Sequence, residues 1–188
     1  MPRITPHESG GSNVCALLDT IARAEIGPAM LAASDNGYDV LVGSFPGDIH
    51  LFGSYSDHPL PSDDDAIEYA DGVFSTAAGR YQILNTYWPH YCELLGLDDF
   101  GPESQDCYAI QQLREQGALE LIQDGRFGDA ITAASNIWAS MPGAGYGQRE
   151  HELKALAQVY VESGGQLSGE DRDWYDRAVK TPADKGAT

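Results

Sequence analysis

From about residue 79 onward, apolar residues recur at the spacing of α-helices, and glycines stand where successive helices are expected to end. This pattern predicts a series of short helices that pack together as a bundle. The predicted helices span residues 79–95 (strained or broken at Pro89), 102–116, 118–123, 129–140 and 148–163. The polar segment after Gly165 contains one further predicted short helix, at residues 172–179.

A first helix, predicted over residues 14–26, precedes this series and ends at the pair Gly27-Pro28. Two short β-like runs follow, at residues 38–43 and 49–53, and the turn between them contains a Pro-Gly pair. One helix, a small β-hairpin lobe and then a helical bundle make up the predicted α+β domain. We see neither an internal repeat nor a second core.

Glu25 is the anomalous residue of the first helix. It follows Ile21 by four residues and Leu18 by seven, so it projects from the same apolar stripe. Partial desolvation, together with the negative end of the helix dipole, is expected to raise its pKa. A carboxyl that stays protonated near neutral pH is the requirement for a general acid acting on a glycosidic oxygen. The alternative is a Glu25 that simply ends the helix and points into water.

The charge balance excludes some classes of partner. The chain has 188 residues, of which 11 are Lys or Arg and 29 are Asp or Glu, so its formal net charge is −18. Such a charge repels phosphate backbones and anionic lipids, which argues against nucleic acid and membrane surfaces as partners. No apolar run approaches the roughly 20 residues of a membrane-spanning helix, and the first residues contain no secretory signal.

The cysteines and histidines indicate neither a disulfide framework nor a metal site. The three cysteines are Cys15, Cys92 and Cys107, an odd number that suits small buried side chains in a reducing compartment. The histidines show no metal-ligand spacing, and Asp57-His58 alone offers too few ligands to indicate a metal site. We therefore predict no metal and no cofactor.

Five sequence elements occur together in one order and give the chain a family resemblance. They are Glu25, residues 37–43 (GYDVLVG), residues 55–59 (YSDHP), residues 75–82 (STAAGRYQ) and residues 135–148 (SNIWASMPGAGYGQ). In this order they resemble the phage lambda endolysin family, whose fold is lysozyme-like and whose members degrade peptidoglycan as lytic transglycosylases. The resemblance extends from about Leu17 to about Gly165.

The resemblance implies a single catalytic carboxyl, which matches Glu25. It would protonate the oxygen between N-acetylmuramic acid (MurNAc) and N-acetylglucosamine (GlcNAc), then deprotonate the muramoyl C6 hydroxyl as a 1,6-anhydro ring closes. Hydrolytic glycosidases usually need a second carboxylate. Asp35 and Asp39 can supply one on sequence spacing, so the residues alone leave hydrolysis open.

The resemblance also implies substrate-binding roles for residues within these motifs. They are Tyr38, Asp39, Asp57, Ser75, Gly79, Arg80, Tyr81, Gln82 and Tyr146. Tyr81 and Gln82 have the chemistry to stack on and hydrogen-bond an N-acetyl sugar; the alternative is a core tyrosine beside an exposed glutamine. Tyr146 lies in a glycine-rich loop and suits a cleft wall, or is one packed residue of a plain loop. Trp138 is expected in the core, and residues 56–58 are expected to order a turn.

Three hypotheses follow for a catalytic domain at residues 1–165 with a flexible N-terminal lead and a polar tail at 166–188. The first is a phage lytic transglycosylase that accumulates as a monomer in the host cytoplasm and reaches peptidoglycan through a holin pore. The second is a hydrolytic muramidase of the same fold. The third is a non-catalytic protein that binds peptidoglycan or chitin oligomers.

Overall fold

The computed structural model describes residues 1–142 and 153–180, and the helix that carries Glu25 is its longest element. A one-turn helix α1 (Pro6–Ser9) precedes α2 (Ser12–Ala33). Helix α2 breaks at Gly27, whose φ of 76° and ψ of 161° suit glycine. The helix was predicted to end at Gly27-Pro28; the structure has a break at Gly27, and helical turns continue after it to Ala33.

The small sheet lies later in the chain than predicted. Strands β1 (Ile67–Ala70) and β2 (Val73–Ser75) form an antiparallel hairpin around Asp71-Gly72. The predicted strands at residues 38–43 and 49–53 are wrong, because the described bridges there are isolated ones such as Val40 to Leu51 and Leu41 to Ala78. Successive residues of the first run bond to different segments, so no ladder forms.

The real hairpin had a turn signal that our sequence analysis did not use, because an Asp-Gly pair such as Asp71-Gly72 is typical of a two-residue hairpin turn. Its strands are short and mostly exposed on both faces, so they lack the buried face that marks a strand in the core. The acidic residues before it form an exposed 3₁₀ turn, Asp63–Asp65.

The predicted helix at residues 79–95 is only half correct. Residues 79–87 form turns, and α3 (Trp88–Leu95) begins one residue before Pro89. Proline lacks an N–H, and the first turn of a helix does not need one. Pro89 therefore lies in the first turn of this helix and does not break it.

The remaining helices form the bundle. They are α4 (Pro102–Glu115), α5 (Ala118–Gln123), α6 (Phe127–Ala134), α7 (Leu153–Glu162) and α8 (Gly169–Lys180). Helices α4 and α5 agree with prediction, α6 ends earlier than predicted, and the start predicted at residue 148 lies outside the described residues. The short helix predicted at residues 172–179 is confirmed as α8, which extends beyond the predicted range at both ends.

Helix α2 lies at the centre of the bundle, where α4, α5 and α7 pack against it. Its face made by Leu17, Leu18 and Ile21 is almost fully buried in one core cluster with Leu113 and Tyr160. The fold is mainly helical with one small hairpin lobe, as predicted. No helix within residues 1–142 and 153–180 is long and apolar enough to cross a membrane.

The segment after Gly165 is joined to the bundle. Leu167 is buried, and the backbone N–H of Ser168 donates to the carbonyl of Gly125 at 2.7 Å. A carboxylate oxygen of Asp171 accepts a hydrogen bond from the N–H of Gly128 at 3.3 Å. These contacts attach α8 to α6, while the domain division at residue 165 stays a prediction.

Candidate active site

A cleft of about 740 Å³ separates the hairpin lobe from the bundle. One wall comes from residues 40–44 with Tyr69, Ser75 and Ala77, and the other comes from helices α3 and α4 and from residues 136–139. Glu25 and Ile26, at the break of α2, lie between these walls. The cleft therefore forms where three parts of the chain meet.

The Glu25 side chain is partly buried in this cleft, and Ser140 holds it. The Ser140 hydroxyl donates a hydrogen bond to Oε1 of Glu25. Burial raises the pKa of Glu25, and hydrogen bonds from the side chain and backbone of Ser140 oppose that rise. The net direction is upward, as expected for a carboxyl on the apolar stripe of the first helix.

A short turn after α6 brings Ser140 to Glu25. The N–H of Met141 donates to the carbonyl of Trp138 at 3.0 Å, and Met141 is fully buried. The indole Nε1–H of Trp138 in turn donates to the carbonyl of Tyr81 at 3.2 Å. Trp138 is buried, as expected, yet it also borders the cleft.

Tyr38, Arg80 and Tyr81 belong to a buried polar network. Asp106 is fully buried, and its Oδ1 accepts hydrogen bonds from the hydroxyls of Tyr38 at 2.8 Å and Tyr81 at 2.5 Å. The guanidinium of Arg80 lies over both tyrosine rings, 5.2 and 5.8 Å from their centroids, and bonds to Asp19. Tyr38 and Arg80 do not line the cleft, and the phenol of Tyr81 is turned into the network, so its described contacts are those of a core tyrosine.

Gln82 and Ser75 are the other predicted binding residues that line the cleft. Gln82 has a left-handed backbone φ of 49°, and its side-chain amide donates to the carbonyl of Gly79 at 3.0 Å. Such a conformation is unfavourable for a residue other than glycine and is often found at functional sites. Gly79 itself, with φ of 75°, faces the amide of Gln105, and a side chain there would collide with it.

The remaining predicted residues lie away from the cleft or outside the described residues. Asp39 accepts a hydrogen bond from the N–H of Asp35 at 2.9 Å, and neither residue lines the cleft. Asp57 is exposed and caps its own turn by accepting from the N–H of His58 at 2.7 Å, which agrees with the expected turn-ordering role. Tyr146 lies outside the described residues.

Comparison with known proteins gives a consistent result. The model of the family described as Endolysin matches residues 15–167. The chain belongs to the Endolysin family. It is 46% identical to the endolysin of Escherichia phage P2 over 166 residues, covering 88% of this chain and 98% of that protein. It is 47% identical to the endolysin of Escherichia phage lambda over 131 residues, covering 70% and 77% of the two.

Solved structures of this endolysin family match the fold. The structure of bacteriophage lambda lysozyme complexed with a chitohexasaccharide matches with a TM-score of 0.74 and 40% identity, covering 89% of this chain and 100% of that one. A second structure, of lysozyme from bacteriophage lambda, matches with a TM-score of 0.72 and 40% identity. The predicted lysozyme-like fold and the prediction of a phage-type endolysin that acts on peptidoglycan are confirmed.

Several cleft residues of this endolysin were missed by sequence reasoning. They are Tyr69, Tyr87, Tyr91, Gln112, Glu115, Gln116 and Asn136. Three of them, on or just after α4, gave a usable signal, because Gln112, Glu115 and Gln116 have the i, i+3, i+4 spacing that places polar groups on one side of a helix. Tyr69 and Tyr87 gave none, since an isolated tyrosine in a turn or hairpin has no pattern.

Proposed function

We propose that this chain is a lytic transglycosylase that cleaves the β-1,4 bond between MurNAc and GlcNAc in peptidoglycan. The observation that carries the proposal is Glu25, a carboxyl that lies in the cleft and whose pKa is raised by burial. Membership of the Endolysin family supports the substrate, and the chitohexasaccharide in the matching lambda lysozyme structure supports a cleft built for an N-acetyl sugar chain.

Glu25 would act first as an acid and then as a base. Its proton passes to the glycosidic oxygen as the bond to C1 of MurNAc breaks, and GlcNAc leaves with a free hydroxyl. The resulting carboxylate takes the proton of the C6 hydroxyl while O6 bonds to C1. The products are a 1,6-anhydro-MurNAc end and a protonated Glu25, so no water is consumed.

The arrangement of the other carboxyl groups also supports this chemistry. The two oxygens of Asp35 lie 2.6 Å from Arg3 Nη2 and 3.1 Å from the Tyr55 hydroxyl, outside the cleft. The candidates Asp35 and Asp39 for a second carboxylate therefore lose their geometric support. Among the described residues, Glu115 is the carboxyl that lines the cleft besides Glu25.

Glu115 makes a hydrolytic muramidase the second candidate. Its oxygens accept hydrogen bonds from the Tyr91 hydroxyl at 2.7 Å and from Gln111 Nε2 at 2.8 Å. These bonds lower the pKa of Glu115, so it stays ionised. An ionised carboxylate in the cleft is the group that a hydrolase uses to activate water.

Mass spectrometry of the soluble fragments released from purified peptidoglycan tests both candidates. The wild type is expected to release fragments that end in 1,6-anhydro sugars, one water lighter than hydrolysis products. Glu25→Gln is expected to release none while still binding the glycan, and Glu115→Gln, the matched control, to keep the anhydro products. Reducing ends that disappear with Glu115→Gln would establish the hydrolase. Binding without fragments from the wild type would establish a non-catalytic binding protein.

The oligomeric state of this protein and its route to the cell wall are also matters of proposal. We propose that this protein is a monomer that is held in the host cytoplasm until a holin pore opens. Expression in bacteria with and without an induced membrane pore tests this, with lysis expected only when the pore is present. Analytical ultracentrifugation tests the monomer.

A further inference from the structure

We propose that Ser140 is a positioning residue for Glu25: its hydroxyl occupies Oε1 of the carboxyl and leaves Oε2 to carry the transferred proton. This inference rests on the proposed function, since it concerns the catalytic step assigned there to Glu25. It adds a residue that does not itself need to touch the substrate.

The contact joins two distant parts of the chain. Glu25 lies in the last helical turn before the break in α2, and Ser140 lies in the turn that follows α6. Ser140 is only 8% exposed, so water does not readily replace its hydroxyl. Its neighbours Trp138 and Met141 are buried and bonded, which holds the hydroxyl in one place.

The Ser140 hydroxyl is a donor that fits both protonation states of the carboxyl. When Glu25 is protonated on Oε2, Oε1 is a carbonyl oxygen and accepts the hydroxyl hydrogen. When Glu25 has given its proton away, the same hydrogen bond becomes charge-assisted and therefore stronger. Ser140 thus stabilises the negative charge that develops on Glu25 in the transition state, where such stabilisation accelerates the reaction.

Burial and Ser140 act in opposite directions on Glu25. Burial raises the pKa of the carboxyl and keeps it protonated, while the Ser140 hydrogen bonds lower that pKa and ease release of the proton. A general acid works best when neither effect is extreme, because it must both hold the proton and transfer it. Removal of the hydroxyl is therefore expected to move the titration of Glu25 to higher pH.

Two variants of Ser140 and one matched control test the inference. Ser140→Ala removes the donor, and Ser140→Cys keeps nearly the same shape with a much weaker one. Ser135→Ala removes a hydroxyl from the start of the same turn, where it donates to the carbonyl of Thr132 at 2.9 Å and does not contact Glu25. Each variant is measured for kcat and KM of anhydro-product release across pH, and for the titration of the Glu25 carboxyl by ¹³C NMR.

Ser140→Ala is expected to lower kcat on the order of tenfold or more with little change in KM. In this variant the alkaline limb of the pH profile should move to higher pH, and so should the titration of Glu25. Ser140→Cys should shift both in the same direction. Ser135→Ala should match the wild type. A folded Ser140→Ala or Ser140→Cys protein with the wild-type titration and kcat would overturn the inference. If Glu25→Gln keeps its activity, the proposed function fails on its own evidence, while the NMR titration still decides whether Ser140 controls this carboxyl.

Discussion

The indole nitrogen of Trp138 lies 3.2 Å from the carbonyl oxygen of Tyr81, and this hydrogen bond fixes the turn that carries Ser140 to the segment that carries Gln82. Tyr81 is itself anchored on Asp106 by its hydroxyl at 2.5 Å. Two segments that line the cleft are thus tied to one another by buried groups. The geometry of the carboxyl therefore depends on a polar core as well as on its own helix.

Trp138→Phe is expected to lower both stability and activity. The substitution removes the donor to Tyr81 and leaves a small cavity, which should reduce the free energy of unfolding by about 2 kcal/mol. Urea unfolding and the rate of peptidoglycan solubilisation measure the two effects. Trp174→Phe, in α8 and away from the cleft, is the control and should keep full activity. Equal activity of both variants would contradict the role given to the Trp138 hydrogen bond.

Asp106→Asn is expected to destabilise the protein strongly. The Asp106 carboxylate accepts from two backbone N–H groups, Arg3 at 2.8 Å and Ile4 at 2.9 Å, as well as from two tyrosine hydroxyls. Whichever oxygen it replaces, the amide nitrogen of an asparagine would face hydrogen-bond donors. This clash should lower the free energy of unfolding by about 3 kcal/mol. Asp129→Asn, in an exposed ion pair with Arg126, should cost less than about 1 kcal/mol in the same denaturation experiment. Similar losses for both variants would show that the network is not a core element.

His58 is expected to make the stability of the protein fall in mild acid. Burial lowers the pKa of this histidine from its ordinary value of 6.5, and its ring nitrogens are used by the N–H of Leu60 at 3.2 Å and the carbonyl of Ile83 at 2.9 Å. Because the unfolded chain takes up the proton more readily, stability should fall as the pH drops below about 6.5, by at most about 1.4 kcal/mol per pH unit.

Urea unfolding of the wild type and of His58→Gln between pH 7 and pH 5 checks the role of His58. The difference in free energy of unfolding between the two proteins should shrink as the pH falls. His50→Gln, at an exposed histidine beside Asp48, is the control for the loss of an imidazole side chain. A His58→Gln protein with the pH dependence of the wild type would refute the assignment.

Glu25→Gln is expected to stabilise the fold while it abolishes activity. Burial raises the folded-state pKa of Glu25, so this carboxyl contributes stability below its ordinary value of 4.5 and loses that contribution as the pH rises through the folded pKa. Above that pH the neutral glutamine should be more stable by about 1 kcal/mol, and the advantage should vanish near pH 4. Thermal unfolding at several pH values measures this, with Glu120→Gln, at an exposed residue, as the control for the substitution itself.

Tyr87→Ala is expected to weaken substrate binding. Tyr87 lines the cleft although 53% of its surface is exposed, which is the environment of an aromatic ring that stacks on a ligand. The KM for soluble peptidoglycan fragments should rise on the order of tenfold with kcat largely kept. Phe45→Ala removes a ring that is 55% exposed but lies outside the cleft, and it should leave KM unchanged. A reversed order of the two KM values would remove Tyr87 from the binding surface.

Local sequence patterns correctly predicted the helices whose apolar residues recur at regular spacing. Helices α4 and α5 were predicted nearly to the residue because their glycine ends and apolar spacing are local properties. The hairpin was misplaced because its Asp71-Gly72 turn signal lies between short, mostly exposed strands, whereas the more apolar run near Val40 forms only single bridges. Pro89 was misread because a proline inside a helix and one in its first turn look the same in sequence.

The sequence by itself determined the helical order, the break after Glu25 and the apolar stripe that makes this carboxyl unusual, since all three depend on residues within a few positions of one another. Only the tertiary structure decided which groups surround that carboxyl. Ser140 reaches it across 115 positions of the chain. The hydroxyls of Tyr38 and Tyr81 meet on buried Asp106, with the guanidinium of Arg80 over both rings. The physical reason is that a polar side chain in a folding chain takes the buried partner that satisfies its hydrogen bonds, and that partner is chosen by packing in three dimensions.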